Sequence, residues 1–136
     1  MAAEYSQGGT DVAELRLQPE ASSPRAARRF AVETAHRWRM TLDETALEVV
    51  TSELVTNAVV HAGTPITVRL RPVTGYLEVE VDDEGPGMGD VPSRRSVGGQ
   101  GLHLVEALSA AAGTSPLDTG TRAWCRLPVQ SMLPTR

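Results

Sequence analysis

With 136 residues, 40% of them hydrophobic, and a net charge of −4, the chain is long enough for one soluble domain and lacks the basic balance of a nucleic-acid binder. All 13 basic residues are arginine, so the chain has no lysine for a Walker A phosphate loop, a protein-kinase-type catalytic site or a Schiff base. A single cysteine, Cys125, excludes an internal disulfide and a cysteine-cluster metal site, and without a leader or a membrane-length run the expected location is the cytoplasm.

Residues 1–10 are polar and glycine-containing and read as a disordered tail; residues 11–129 read as one domain, with a second tail over 130–136. Ala13, Leu15 and Leu17 alternate with Glu14 and Arg16, as in a short strand with one buried face. Ser23-Pro24 reads as the N-cap and first residue of a helix to about Met40, with Ala27, Phe30, Ala31, Thr34 and Trp38 inward. Thr41 and Glu44 then have the spacing of a capping box that opens a long helix to Ala62. Its buried face is Leu47, Val50, Leu54 and Ala58. Glu53, Asn57 and His61 follow one another at steps of four and line up on one side. A carboxylate, a carboxamide and an imidazole beside an apolar face suggest the wall of a site.

Gly63-Thr64-Pro65 breaks the chain before two strands. Ile66, Val68 and Leu70 share one face; after the turn Pro72–Gly75, Leu77, Val79 and Val81 point inward, with Glu78, Glu80 and Asp82 outward to solvent. Pairing Leu70 with Leu77 sets Arg69 across from Glu78. Asp83 has the parity of the inward set and Asp82 that of the outward set. Asp83 is therefore expected to enter an apolar space, where it needs donors from a ligand or from the glycine turn it would cap. That turn is Glu84-Gly85-Pro86-Gly87. Residues 88–97 lack periodicity and read as a flap. Gly98-Gly99-Gln100-Gly101 then leads into an apolar helix with Leu102, Val105 and Leu108. Such a start exposes backbone N–H groups to an anion, although glycine also serves there for steric reasons alone. In the last strand, 120–128, Ala123, Cys125 and Leu127 share a face with Thr121, opposite Trp124.

Four segments, ELVTNAVVHA (53–62), DEGPG (83–87), GGQGLHLV (98–105) and GTRAWCRLP (120–128), stand in the order of the motifs of the histidine-kinase, gyrase and MutL ATPase domains. The chain resembles that superfamily over residues 11–128, and is most similar to its small stand-alone members, the anti-sigma-factor serine/threonine kinases and actinobacterial ATP-binding regulators. The resemblance implies a two-layer α/β sandwich of the Bergerat type, a mixed, mostly antiparallel sheet with helices on one face, binding ATP or ADP under a flexible lid. By the same resemblance Asn57 holds Mg²⁺, Glu53 is the general base, and Asp83 accepts from the adenine amino group. Gly85 and Gly87 make room for the base, Gly99, Gly101 and Leu102 offer amides to the phosphates, and Thr121 lines the adenine end. His61 is either a phosphate neighbour or a structural helix-end histidine. Arg94 and Arg95 either meet the γ-phosphate or form a solvated charge pair. The chain carries no phosphoacceptor-histidine segment, and Ala111-Ala112-Gly113 stands where small members often have Trp-Gly.

Two functions follow from the resemblance. One is a kinase that phosphorylates an anti-anti-sigma-type protein and can also sequester a sigma factor, as monomer or homodimer. The other is a non-catalytic regulator that sequesters a protein with nucleotide as a structural ligand. Both exclude direct contact with nucleic acid or membrane.

Overall fold

A computed structural model of the chain describes residues 3–7, 11–85 and 99–132. The strands are β1 (Ala3–Gln7), β2 (Asp11–Leu17), β3 (Met40–Thr41), β4 (Ile66–Val73), β5 (Tyr76–Asp82), β6 (Ala111–Pro116), β7 (Thr121–Pro128) and β8 (Ser131–Met132). The helices are α1 (Ser23–Arg37), α2 (Glu44–His61) and α3 (Gly99–Leu108). Six strands form one sheet in the order β1-β2-β4-β5-β7-β6, and β3 pairs with β8. Among the described residues every ladder is antiparallel, a narrower case than the mixed sheet expected. The inward residues of β2, β4, β5 and β7 are all buried and meet the helices, so the sandwich has two layers with the core between them.

The ends of the chain carry more structure than the two expected tails. Ala3–Gln7 pairs with β2, Ala3 opposite Leu15, and so covers what would be an unpaired edge. Ser131–Met132 pairs with Met40–Thr41. That pairing also changes the start of α2. Thr41 is extended, and its carbonyl accepts from the Gln130 N–H (2.8 Å), so it cannot cap a helix. Asp43 does so instead, its Oδ1 accepting from the Ala46 N–H at 3.0 Å. At α1 the N-cap is Ser22, one residue before the expected one, and the helix stops at Arg37, where Arg39 takes a left-handed φ of 57°. Ala27, Phe30, Ala31, Thr34 and Trp38 are buried as expected, and so are Leu47, Val50, Leu54 and Ala58 of α2. In α3, Val105 is buried but Leu108 is exposed.

The β4–β5 hairpin turns in two residues, Thr74-Gly75, with Gly75 at φ 82°. Leu70 therefore faces Val79 and Arg69 faces Glu80, two positions along β5 from the register expected; the parity of the strand is unaffected. The outer glutamates are not solvated: Glu78 and Glu80 are 5% and 2% exposed. Arginines from three neighbouring strand positions fold over them. Arg71 Nη2 donates to Glu78 (2.8 Å) and Glu80 (2.7 Å), Arg126 Nε to Glu78 (2.8 Å), and Arg69 Nη1 to Glu80 (3.0 Å).

Burial opposes charge on both carboxyls. At Glu78, hydrogen bonds from Glu80, Arg126 and Arg71 outweigh it and hold the group at about 2, against an ordinary 4.5. At Glu80 burial prevails and raises the value. A depressed carboxyl stabilises the fold above its unfolded pKa and loses that contribution as pH falls through the folded one. Thermal stability should accordingly drop between pH 4.5 and about 2 through Glu78, while Glu80 acts in the opposite sense, losing its share as pH rises above 4.5. Melting curves of Glu78→Gln should show a shallower acid limb than wild type; an identical limb would contradict this account.

Candidate functional site

α2 is the wall of the site. It packs against α1, α3 and the sheet, which is why its buried residues occupy more than a single stripe. Along its remaining side Glu53 is half-buried, Asn57 is buried at 8% exposed, and His61 is half-buried in the last turn. Thr51, on the same helix, buries a hydroxyl that has no hydrogen-bond partner among the described residues.

Asp83 leaves β5 and is 4% exposed, as its parity requires. Its Oδ1 accepts from the Gly85 N–H (3.1 Å) and the Thr121 N–H (3.2 Å), while its own N–H donates to the Thr121 carbonyl (3.0 Å). The carboxylate thus points inward and takes its donors from the glycine turn, which it caps, and from Thr121. Thr121 is 4% exposed, and its Oγ1 is buried without a partner among the described residues. An unsatisfied buried hydroxyl costs about 1–3 kcal/mol. A ligand offering a donor to Asp83 and a polar group to Thr121 would recover that cost.

Two contacts hold this corner against the end of α2, and a third ties it to β2. Gly85 lies so close to Ala62 that a Cβ on it would be 3.2 Å from the alanine Cβ. The Glu84 N–H donates to Thr64 Oγ1 at 2.8 Å, and the Glu84 carboxylate pairs with Arg16 Nη2 at 2.8 Å. From the other side Gly120, at φ 102°, packs onto the Asp83 backbone. Gly120, Thr64, Ala62 and Arg16 were not legible as site residues. The sequence offered only a Thr-Gly turn before Thr121 and a Gly-Thr-Pro break after α2, which any loop could contain.

The structure brings Asp83, Gly85 and Thr121 together beside the last turn of the helix that bears Glu53, Asn57 and His61. Gly99, Gly101 and Leu102 open α3, which packs against α2; Leu102 is half-buried. Gly87, the flap with Arg94 and Arg95, and the tail over 133–136 lie outside the described residues. Among the described residues no group of three or more His, Cys, Asp and Glu is arranged to hold a metal ion.

The chain is thus a helical layer over an antiparallel sheet, with the buried polar groups of Asp83 and Thr121 at the strand ends beside α2. Residues 17–124 match the histidine kinase-like ATPase domain, and the chain belongs to that family. The family read from the four motifs is therefore the right one. Among solved structures, that of the RsbU and RsbW domains of Rv1364c from Mycobacterium tuberculosis is similar with a TM-score of 0.60 and 21% identity. The match covers 90% of this chain but 34% of that one, so this chain spans about a third of its length. At that identity the likeness is one of fold. No protein of curated function matches by sequence.

Proposed function

We propose that the protein is an ATP-dependent serine/threonine kinase of the anti-sigma type, acting on a hydroxyl of an anti-anti-sigma-type protein. The observation that carries the reading is the buried Asp83 carboxylate beside the unsatisfied Thr121 hydroxyl, below a helix that also bears Glu53. Asp83 and Thr121 suit the amino edge of adenine, with Gly85 and Gly87 leaving room for the ring. The amides at Gly99, Gly101 and Leu102 suit the phosphates. Asn57 would hold Mg²⁺ through its amide oxygen, and the ion would supply charge neutralisation at the phosphates, its remaining ligands being water and phosphate oxygen. Glu53 takes the proton of the partner's hydroxyl as that oxygen bonds to the γ-phosphorus; the bond to the bridging oxygen breaks and ADP leaves. His61 sits on the phosphate side in this reading.

Glu53 also separates this reading from that of a non-catalytic regulator, because capture of nucleotide needs Asn57, Asp83 and the glycines but no base. A sigma factor as second partner belongs to the proposal, and so does a cytoplasmic setting; among the described residues no helix is long and apolar enough to cross a membrane.

The purified protein should show a rising melting temperature with increasing ATP or ADP in Mg²⁺, and labelled ATP should transfer its phosphate to a serine or threonine of the cognate anti-anti-sigma protein. A melting curve indifferent to millimolar nucleotide would remove the basis of the proposal. Asp83→Asn should weaken nucleotide binding by about 1–3 kcal/mol, since the amide can present a donor to a donor. Asp82→Asn should not, because Asp82 faces the other side of the sheet and is bound by Arg122 at 2.8 and 2.9 Å. Titration of both variants with a fluorescent ATP analogue distinguishes them.

A further inference from the structure

Three successive backbone N–H groups at the end of β5 each find a different acceptor. The Asp83 N–H donates to the Thr121 carbonyl (3.0 Å), the Glu84 N–H to Thr64 Oγ1 (2.8 Å) and the Gly85 N–H to Asp83 Oδ1 (3.1 Å). The first bond ties the turn to β7, and the third closes it on itself. Of the three, the second alone reaches the connector after α2, and its acceptor is a side chain. Thr64 is itself fixed to that helix. Gly63 ends α2 at φ 64°, its N–H donating to the Ala58 carbonyl at 3.3 Å, and the ring of Pro65 fixes the φ that follows Thr64. The Thr64 hydroxyl donates to the Pro65 carbonyl at 3.3 Å, which leaves its oxygen lone pairs for the Glu84 N–H.

We infer that Thr64 is a positioning residue for base recognition, its hydroxyl holding the Asp83–Gly85 turn in register with α2. Asn57 stands five residues before Ala62, about 7–8 Å along the helix axis. A nucleotide held at Asn57 by its phosphate end therefore meets the Asp83 carboxylate only if the turn keeps its place beside the end of the helix. Misplacement by a fraction of an ångström lengthens a hydrogen bond that tolerates little stretch. The packing of Gly85 on Ala62 prevents the turn from moving closer, and the Thr64 bond prevents it from moving away. The Arg16–Glu84 ion pair is the weaker tie, because its side chains are 57% and 44% exposed and water screens them. Thr64 is half-buried, so its bond is better shielded. This inference rests on the reading of Asp83 as the adenine contact and names what keeps that contact selective.

The test uses the full chain with Mg²⁺ and measures the affinities of ADP and inosine diphosphate by competition with a fluorescent ATP analogue. Inosine diphosphate carries a carbonyl where ADP carries the amino group, so wild type should prefer ADP. Thr64→Val keeps the shape of the side chain and removes the acceptor. It should weaken ADP binding by roughly three- to tenfold and change inosine diphosphate binding by less than about twofold, so that the preference shrinks. Thr64→Ala, which removes the same acceptor without adding a methyl group, should repeat the result. Thr64→Ser should keep the wild-type preference, and Arg16→Gln should alter it by less than about twofold. A merely structural role would lower both affinities alike. Equal binding of the two nucleotides by wild type would remove the reading of Asp83 and this inference with it. A wild-type preference that survives in Thr64→Val, an equal loss of both nucleotides there, or a preference lost in Thr64→Ser would overturn the inference alone.

Discussion

Glu53→Ala is expected to cut phosphoryl transfer to the protein partner by about 10²–10⁴-fold, with nucleotide affinity close to wild type. The residue is half-buried on α2, one turn before Asn57, and has no part in the contacts that shape the Asp83–Thr121 corner. Its loss removes a proton acceptor without opening the pocket. Asn57→Ala should behave differently, because it removes the proposed Mg²⁺ ligand: transfer should fail, and the melting shift given by nucleotide should lose its dependence on Mg²⁺. A chain without lysine has only the metal ion, backbone amides and arginines with which to neutralise the transferring group. Slow turnover is sufficient where one phosphate switches one interaction. Single-turnover assays with labelled ATP and the partner, paired with melting curves, give both quantities. Tight binding of the partner by wild type without any label would sink the kinase reading and leave the nucleotide as a structural ligand.

The second large effect is expected at a residue with no chemistry of its own. In Gly120→Ala the new Cβ would lie 1.9 Å from the Asp83 carbonyl oxygen, 2.7 Å from its carbon and 2.9 Å from the Glu84 Cα. All three are backbone atoms, so no side chain can swing away. Gly120 also holds φ 102°, which an L side chain resists. Strain and overpacking together should destabilise the fold by about 3 kcal/mol or more. The displaced Asp83 should weaken nucleotide binding beyond the loss expected for Asp83→Asn. Gly75→Ala is the control. It too has positive φ, at 82°, but nothing lies within 4 Å of its Cβ. It should cost about 1 kcal/mol and leave nucleotide binding unchanged. Chemical denaturation and nucleotide titration of the two variants test the contrast, and wild-type affinity in Gly120→Ala would refute it.

The polar stripe of α2 and the inward turn of Asp83 were both readable from periodicity. A helix repeats near four residues and a strand at two, and neither repeat depends on what packs nearby. The same reasoning found the core faces of α1, α2 and the central strands. It failed where the deciding partner is distant in sequence. Thr41 has the spacing of a cap, but β8 pairs with it and the cap passes to Asp43. Glu78 and Glu80 have the parity of an outer face, which they keep, but arginines from β4 and β7 bury them there.

The local sequence, then, determined which side chains share a face and which motifs occur in which order, because backbone geometry alone sets those relations. The tertiary structure decided how the motifs meet. Thr121 is 38 residues from Asp83, yet its carbonyl accepts from the Asp83 N–H, its N–H donates to the Asp83 carboxylate, and its hydroxyl is buried without a partner among the described residues. Thr64 anchors Glu84 across 20 residues, and Gly120 is required by a carbonyl that lies beside it only after β5 and β7 have paired. Hydrogen bonds and close packing act over a few ångströms between whichever atoms the fold brings together, and no local pattern in the chain encodes that distance.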